Sequence, residues 1–261
     1  MGRPSVLSCA DTAATLPRLG GMARPDGVVI VSERFWAFAG VDGSLREGAM
    51  PRPRPVVRRI PLVRGLLRLG ASLSPLFRRR GIARRGERRF LAAVVLAPLA
   101  LYPLHGTLAL GVEVASTLGI GAWLLRGRTL ALHGAEHRAI AAAEERRLDA
   151  TWAGDVRPSR FSARCGTNFA ALVVPVTVAF DHVWVLPTAA FTPLVVMVLS
   201  LALSMELWQL VQRCGDGVAR VVLAPGLAMQ RVTTREPELE ETRVALRAVA
   251  SVLERELRSD G

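Results

Sequence analysis

The sequence contains no lysine, only one tyrosine and only three cysteines. The cysteines, at positions 9, 165 and 214, are widely spaced and odd in number, which excludes a disulfide framework and fits a reducing compartment. All 34 basic residues are arginine, a bias typical of a GC-rich genome, so no function follows from it. The N-terminus also lacks the basic-then-apolar order of a signal peptide, because Asp11 and polar residues interrupt it.

Charged residues are rare in four long apolar stretches. Hydrophobic residues make up 51% of the chain and the mean hydropathy is +0.31, which is too apolar for an ordinary globular surface. The first stretch is short for the roughly 20 residues that cross a bilayer, so the first pair forms either two spans or a re-entrant hairpin. We expect a mainly α, polytopic helical membrane protein with a small β-containing module before four hydrophobic segments. The stretches comprise residues 90–104, 107–125, 168–187 and 188–211.

The excess of positive charge lies before the first apolar stretch. Residues 1–90 carry 18 arginines against six acidic residues, whereas residues 91–261 carry 16 of each. No nucleic-acid-binding motif accompanies the basic block, which favours anionic lipid headgroups and the bilayer as partners over nucleic acid. The positive-inside rule predicts a multi-pass membrane protein with both termini cytoplasmic.

Composition shifts divide the chain into seven segments. The 60–89 segment has the spacing of a basic amphipathic helix on the cytoplasmic leaflet, although a core helix of the N-terminal module has the same pattern. The C-terminal helix has an apolar face suited to a homo-oligomer or a membrane protein partner. The predicted segments are a disordered leader (1–15), a β-containing module with a Pro/Arg linker (16–59), the amphipathic helix (60–89), a first hydrophobic hairpin (90–125), a cytoplasmic loop (126–167), a second hairpin (168–211) and a cytoplasmic C-terminal segment (212–261).

The string HGAEH at residues 133–137 carries the clearest chemical signal. Residues four apart share a helix face, so His133 and His137 are suited to bind one metal ion, most simply zinc. The order H-x-x-E-H matches the inverted zinc-protease motif, in which Glu136 would act as general base. Gly134 weakens the helix by about 1 kcal/mol. The simpler alternative to a metal site is a polar cluster or helix cap at a membrane surface.

Other residues are candidates to complete this site. Cys165 is suited to be a third ligand, or a nucleophile whose thiolate Arg164 favours, but it also fits a small buried position. Glu206, inside an apolar stretch, is either a third ligand or an ion-pair partner of Arg213 or Arg138. Glu144 lies about 10 Å along the helix from His137, too far to bind the same metal ion directly. It is therefore either a contact for a substrate or a solvated side chain.

Several short motifs occur in order along the chain: GGMA at 20–23 with DGV at 26–28, IPLVRG at 60–65, HGAEHR at 133–138, RCGTNF at 164–169, PGL at 225–227, QR at 230–231 and TTREP at 233–237. Together they resemble the YqhQ-like family of bacterial membrane proteins, a domain of unknown function (1385) whose members are often labelled metal-dependent enzymes. The resemblance implies a multi-pass protein of the bacterial plasma membrane but no particular reaction.

The chain departs from the family pattern at two places. Ser162 and Ala163 replace a His-Pro pair that precedes the RCGT motif in the family. Met22 and Asp26 replace Gln and Glu in the opening motif, and Asp26 is a possible additional site residue. If the family histidine is a metal ligand, this chain has lost it, and the site is thinner than in relatives or absent.

Two function classes follow from these residues. The first is a metal-dependent membrane enzyme of hydrolytic type, with His133 and His137 as ligands, Cys165 or Glu206 as the third ligand and Glu136 as base. The second is a non-catalytic scaffold or assembly factor in which the same residues form a structural junction. A transporter fits less well, because few charged residues interrupt the apolar stretches and no internal repeat is present.

Overall fold

The computed structural model describes residues 3–51, 60–77, 81–101, 126–184, 191–213 and 216–260, with isolated positions between 108 and 122. The chain forms two compact units. The first combines Met1–Arg52, Leu124–Cys165 and Leu227–Gly261, and the second combines Pro53–Trp123 and Gly166–Gly226. The first unit is therefore built from three separate pieces of chain.

The fold is mainly helical, with an N-terminal sheet, as predicted. Strands β1 (Gly20–Arg24), β2 (Gly27–Val31), β3 (Phe35–Gly40) and β4 (Leu45–Ala49) form an antiparallel meander in that order. The helices are α1 (Arg3–Thr12), α2 (Val63–Phe77), α3 (Arg85–Leu101), α4 (Thr129–Glu144), α5 (Leu148–Ala153), α6 (Gly166–Val183), α7 (Thr192–Val211), α8 (Asp216–Thr233) and α9 (Leu239–Asp260).

The core of the first unit lies between the sheet and two helices. Helix α4 packs on β1, and α9 packs on α4, β2 and β3. Val28 and Ile30 alternate onto one face of β2, where they meet Leu132 and Ala139 of α4 and Val249 of α9. Small alanine side chains on α4 allow the helices to approach closely, which buries the HGAEH turn beside the sheet.

The N-terminus differs from the expected disordered leader. Residues 3–12 form α1, and Val6, Leu7 and Ala10 are buried in the core of the first unit. The Asp11 carboxylate accepts the backbone N–H groups of residues 148 and 149, at 2.9 and 3.0 Å, which caps the start of α5. Contacts with residues more than 130 positions away in the sequence therefore order this segment. The local sequence does not indicate these contacts.

The second unit contains the one described helix that is long and apolar enough to cross a membrane, α7, with 20 residues. The apolar helix α6 is shorter over its apolar part, Gly166–Phe180. Most of the predicted stretch 107–125 with Glu113, the connection at His105, and the turn at 185–190 lie outside the described residues. The four-segment arrangement therefore stays a prediction.

The IPLVRG motif joins α2 to α7 within the second unit. The Arg64 guanidinium donates to Glu206 with Nε 2.8 Å from Oε1, and the Leu62 N–H donates to the same carboxylate at 3.2 Å. Gly65 lies where a Cβ would be 3.0 Å from the Ala202 carbonyl. Glu206 thus pairs with Arg64, where the sequence had suggested Arg213, Arg138 or a metal.

Arg64→Ala is expected to lower the thermal midpoint of the detergent-purified protein, because it leaves a largely buried carboxylate without its cation. The matched control is Arg68→Ala on the same helix, which removes an exposed hydrogen bond to Gln209 and should change the midpoint little. Equal midpoints for the two variants would contradict the assigned role of Arg64.

Candidate metal centre

Helix α4 places His133 and His137 one turn apart. Their ring centroids are 4.5 Å apart and the rings are inclined at 64°. Helical residues four apart share a face, which is why the spacing in the sequence becomes proximity in the structure. The helix also buries His137, whose side chain is 2% exposed.

Backbone carbonyls determine which nitrogen of each ring carries the proton. His133 Nδ1 donates to the Thr233 carbonyl at 2.8 Å, and His137 Nδ1 donates to the Arg160 carbonyl at 2.7 Å. Because a carbonyl can only accept, the neutral form of each ring has its proton on Nδ1 and a lone pair on Nε2. Metal-binding histidines typically show this arrangement of an outer acceptor and a free second nitrogen.

Cys165 completes a group of three ligand side chains. Its Sγ is 3.1 Å from His133 Nε2, and the ligand atoms of His133, His137 and Cys165 all lie within 4.8 Å of one another. Tetrahedral zinc with bonds of about 2.0 Å to nitrogen and 2.3 Å to sulfur would separate two such ligands by about 3.5 Å. The observed spacing is therefore compatible with one shared ion.

The buried Nε2 of His137 supports this interpretation. It has no hydrogen-bond partner among the residues that the structure describes. A buried polar atom left unsatisfied costs about 1–3 kcal/mol, so native structures rarely contain one without a reason. A metal ion held by the three side chains would satisfy this nitrogen.

Glu136 lies on the same helical turn but contacts the sheet. Its carboxylate accepts the Ala23 N–H and packs over Gly21, where a Cβ would lie 2.7 Å from Oε1. Burial raises the pKa of Glu136 from its ordinary value of 4.5 to about 7, against the lowering effects of nearby His133 and of the Ala23 N–H. Among the described residues it does not belong to the group of clustered ligand atoms.

The TTREP motif at residues 233–237 runs along α4 and anchors it. The Arg235 N–H donates to the Leu130 carbonyl at 2.9 Å, and the Arg235 carbonyl lies against Gly134. Buried Arg138 donates to Glu236 at 2.6 Å. This segment therefore supplies the Thr233 carbonyl that orients His133. In the sequence the motif matched the family pattern without indicating this role.

Ser162 provides no metal ligand in place of the family histidine. Its N–H donates to Gln230 Oε1 at 2.9 Å, and Gln230 Nε2 donates back to the Ser162 carbonyl at 2.7 Å. Gln230 is fully buried, so this pair of bonds holds the chain just before Cys165 in place. The side-chain amide of Gln230 thus positions the third ligand. The QR motif in the sequence did not indicate this role.

The remaining candidates lie outside the ligand group. Glu144 forms an exposed ion pair with Arg164. Asp26 accepts from Arg24 Nε at 2.9 Å at the turn between β1 and β2. Glu206 belongs to the second unit and binds Arg64.

Comparison with known proteins assigns a family. A family model described as "Protein of unknown function (DUF1385)" matches residues 90–255, more than half of the chain. The chain is 32% identical over 142 residues to the uncharacterized protein YqhQ of Bacillus subtilis (strain 168), and the match covers 51% of the chain and 43% of that relative. No solved structure matches the chain. The resemblance seen in the motifs is confirmed: the chain belongs to the DUF1385 family of proteins of unknown function.

Proposed function

We propose that this protein is a metal-dependent membrane enzyme of hydrolytic type, with zinc bound by His133, His137 and Cys165. The observation that carries the proposal is the convergence of these three ligand atoms within 4.8 Å, with both Nδ1 atoms already engaged by carbonyls. Three protein ligands leave one coordination position open, as in catalytic zinc sites. When bound, zinc supplies Lewis-acid activation of a substrate carbonyl or phosphoryl group.

Glu136 is the proposed proton acceptor. A carboxyl with a pKa of about 7 is suited to exchange a proton near neutral pH. For this role its carboxylate has to leave the Ala23 N–H and turn toward the ligand group. Gly21 accommodates the carboxylate in its present position beside β1, because a Cβ there would lie 2.7 Å from Oε1.

A non-catalytic scaffold or assembly factor is the second candidate. The observation that favours it is that Glu136 is already hydrogen-bonded to β1 and that residues 233–237 fasten the HGAEH turn from the other side. In that case the three ligands hold a structural ion or a polar junction. The protein's place in the plasma membrane with cytoplasmic termini, its contacts with anionic lipid, and a homo-oligomeric or membrane protein partner are part of the proposal for either function.

Elemental analysis of the detergent-purified protein, prepared without chelators, tests the metal site. We expect about one equivalent of zinc or another transition metal per chain, and its loss in the double variant His133→Ala, His137→Ala and in Cys165→Ala. His182→Ala is the matched control, because His182 lies exposed on α6 and bonds only locally to the Val178 carbonyl among the described residues. Absence of metal in every preparation, or equal metal in all of them, would refute the site.

Cobalt substitution separates the two functions. If one coordination position is open, azide should change the visible absorption of the cobalt(II)-loaded protein, because an added anion becomes a fourth ligand. An unchanged spectrum at saturating azide would indicate a closed structural site and favour the scaffold. Glu136→Gln should retain cobalt in either case, since Glu136 does not belong to the ligand group.

A further inference from the structure

A cavity of about 310 Å³ lies in the first unit and is lined in part by α4, the helix that carries His133 and His137. Residues 16–19, between α1 and β1, form one wall, and Ile140, Ala143 and Glu144 of α4 form the other. Ile140 is three residues beyond His137, about 4.5 Å along the helix axis. Arg164, which also lines the cavity, directly precedes Cys165. Two residues that line the cavity are therefore close along the chain to proposed metal ligands.

The charges around this cavity are unbalanced. Arg18, Arg146 and Arg164 line it against a single acidic residue, Glu144, which gives an excess of two positive charges. Arg146 is fixed by the Ala10 and Ala13 carbonyls at 2.9 and 2.6 Å, so its charge stays at the rim. Guanidinium groups bind phosphate and carboxylate oxygens through paired hydrogen bonds.

The remaining wall is apolar and supplied by Leu16, Leu19 and Ile140. A cavity that combines such a wall with two excess cations fits a ligand that is both anionic and apolar. A phosphate monoester carries a charge of about −1.5 to −2 near neutral pH, which matches the excess. The larger cavity of about 360 Å³ in the same unit lacks this property, because two acidic residues, Glu236 and Glu238, line it beside Arg138 and Arg157.

We propose that the 310 Å³ cavity binds the phosphate group of an amphiphilic phosphate monoester. Arg18 and Arg164 bind the phosphate, and the apolar wall contacts the attached chain. Glu144 is a competitor: its carboxylate pairs with Arg164 in the free protein and must be displaced when the ligand binds. The identification of this ligand as a substrate rests on the proposed function, whereas binding itself does not.

Titration calorimetry of the full-length protein in detergent tests the proposal with three probes: hexyl phosphate, inorganic phosphate and hexanol. We expect hexyl phosphate to bind about tenfold more tightly than inorganic phosphate, the factor that two buried methylene groups give, and hexanol to bind least. Equal affinities for the two phosphates would mean that free phosphate is the ligand and would overturn the amphiphilic assignment. Absence of phosphate binding would overturn the site.

Substitutions at two exposed residues, each compared with a matched control substitution, identify the residues that control phosphate binding. Glu144→Gln should tighten hexyl phosphate binding about three- to tenfold, because it removes the competing carboxylate, and Arg164→Ala should weaken it about tenfold. Glu145→Gln and Arg147→Ala make the same charge changes at exposed positions that do not line the cavity, and should leave the affinity unchanged. Equal effects of Glu144→Gln and Glu145→Gln would show a general charge effect and refute the proposal.

Metal analysis of the same samples separates this inference from the proposed function. Metal-loaded protein that fails to bind phosphate refutes the cavity assignment and leaves the metal site standing. Phosphate binding with the expected variant pattern, in protein that contains no metal, supports the cavity assignment and refutes the enzyme.

Discussion

Gly134→Ala is expected to destabilise the protein by about 2–3 kcal/mol, although the same change inside a helix normally stabilises by about 1 kcal/mol. A Cβ at position 134 would lie 2.2 Å from the Arg235 carbonyl oxygen and 3.2 Å from Pro237 Cδ. The Arg235 carbonyl belongs to backbone that is bonded to Leu130, so it cannot move without opening that contact. The thermal midpoint should fall by roughly 2–4 °C per kcal/mol for a chain of about this size.

Gly70→Ala is the matched control for this prediction. Gly70 is an exposed helical glycine in α2, and a Cβ there meets nothing within 4 Å among its surroundings. We expect an unchanged or higher midpoint, since only helix propensity changes. If Gly134→Ala behaves like Gly70→Ala, the close approach of residues 233–237 to α4 is incorrect.

Gly134→Ala should also weaken metal binding. Displacement of residues 233–237 moves the Thr233 carbonyl, which holds the ring of His133 through Nδ1. Loss of such an outer hydrogen bond typically lowers metal affinity about 10- to 100-fold. Competition with a chromophoric chelator measures the change, and retention of wild-type affinity by Gly134→Ala would contradict the orienting role of Thr233.

The second large effect is expected for Glu136→Gln, as a change in how stability depends on pH. In metal-free protein the pKa of Glu136 is about 7 when folded and 4.5 when unfolded. Between these values the unfolded chain releases the proton while the folded protein retains it. Wild-type stability therefore falls as pH rises from about 4.5 to 7, by up to about 3 kcal/mol, and changes little above that range from this group. Glutamine cannot ionise and removes this loss.

Thermal unfolding of chelator-treated protein at pH 5 and pH 8 measures the effect. The midpoint of Glu136→Gln relative to wild type should be several degrees higher at pH 8 than at pH 5. Glu144→Gln serves as the control, because its exposed carboxylate should give the same difference at both pH values. Parallel pH profiles for wild type and Glu136→Gln would show that Glu136 is not held in an environment that favours its protonated form.

The sequence by itself determined the features that depend on neighbouring residues. The four-residue spacing of His133 and His137 places both on one face of any helix they occupy, and α4 is a helix. Continuous apolar runs of strand length at 28–31 and 35–39, with Asp-Gly turn signals at 26–27 and 42–43, predicted the N-terminal sheet, and a long apolar run predicted α7. Each of these patterns lies within a single element, so it can be recognised without knowledge of the fold.

Only the tertiary structure decided which distant groups meet. Glu206 pairs with Arg64, Glu136 contacts β1, and Gly134 meets a carbonyl about 100 residues later in the chain. Each contact joins segments whose approach depends on the packing of whole helices and strands, and no local periodicity encodes it. Gly134, which in isolation only weakens a helix, is required because packing leaves no room for a Cβ.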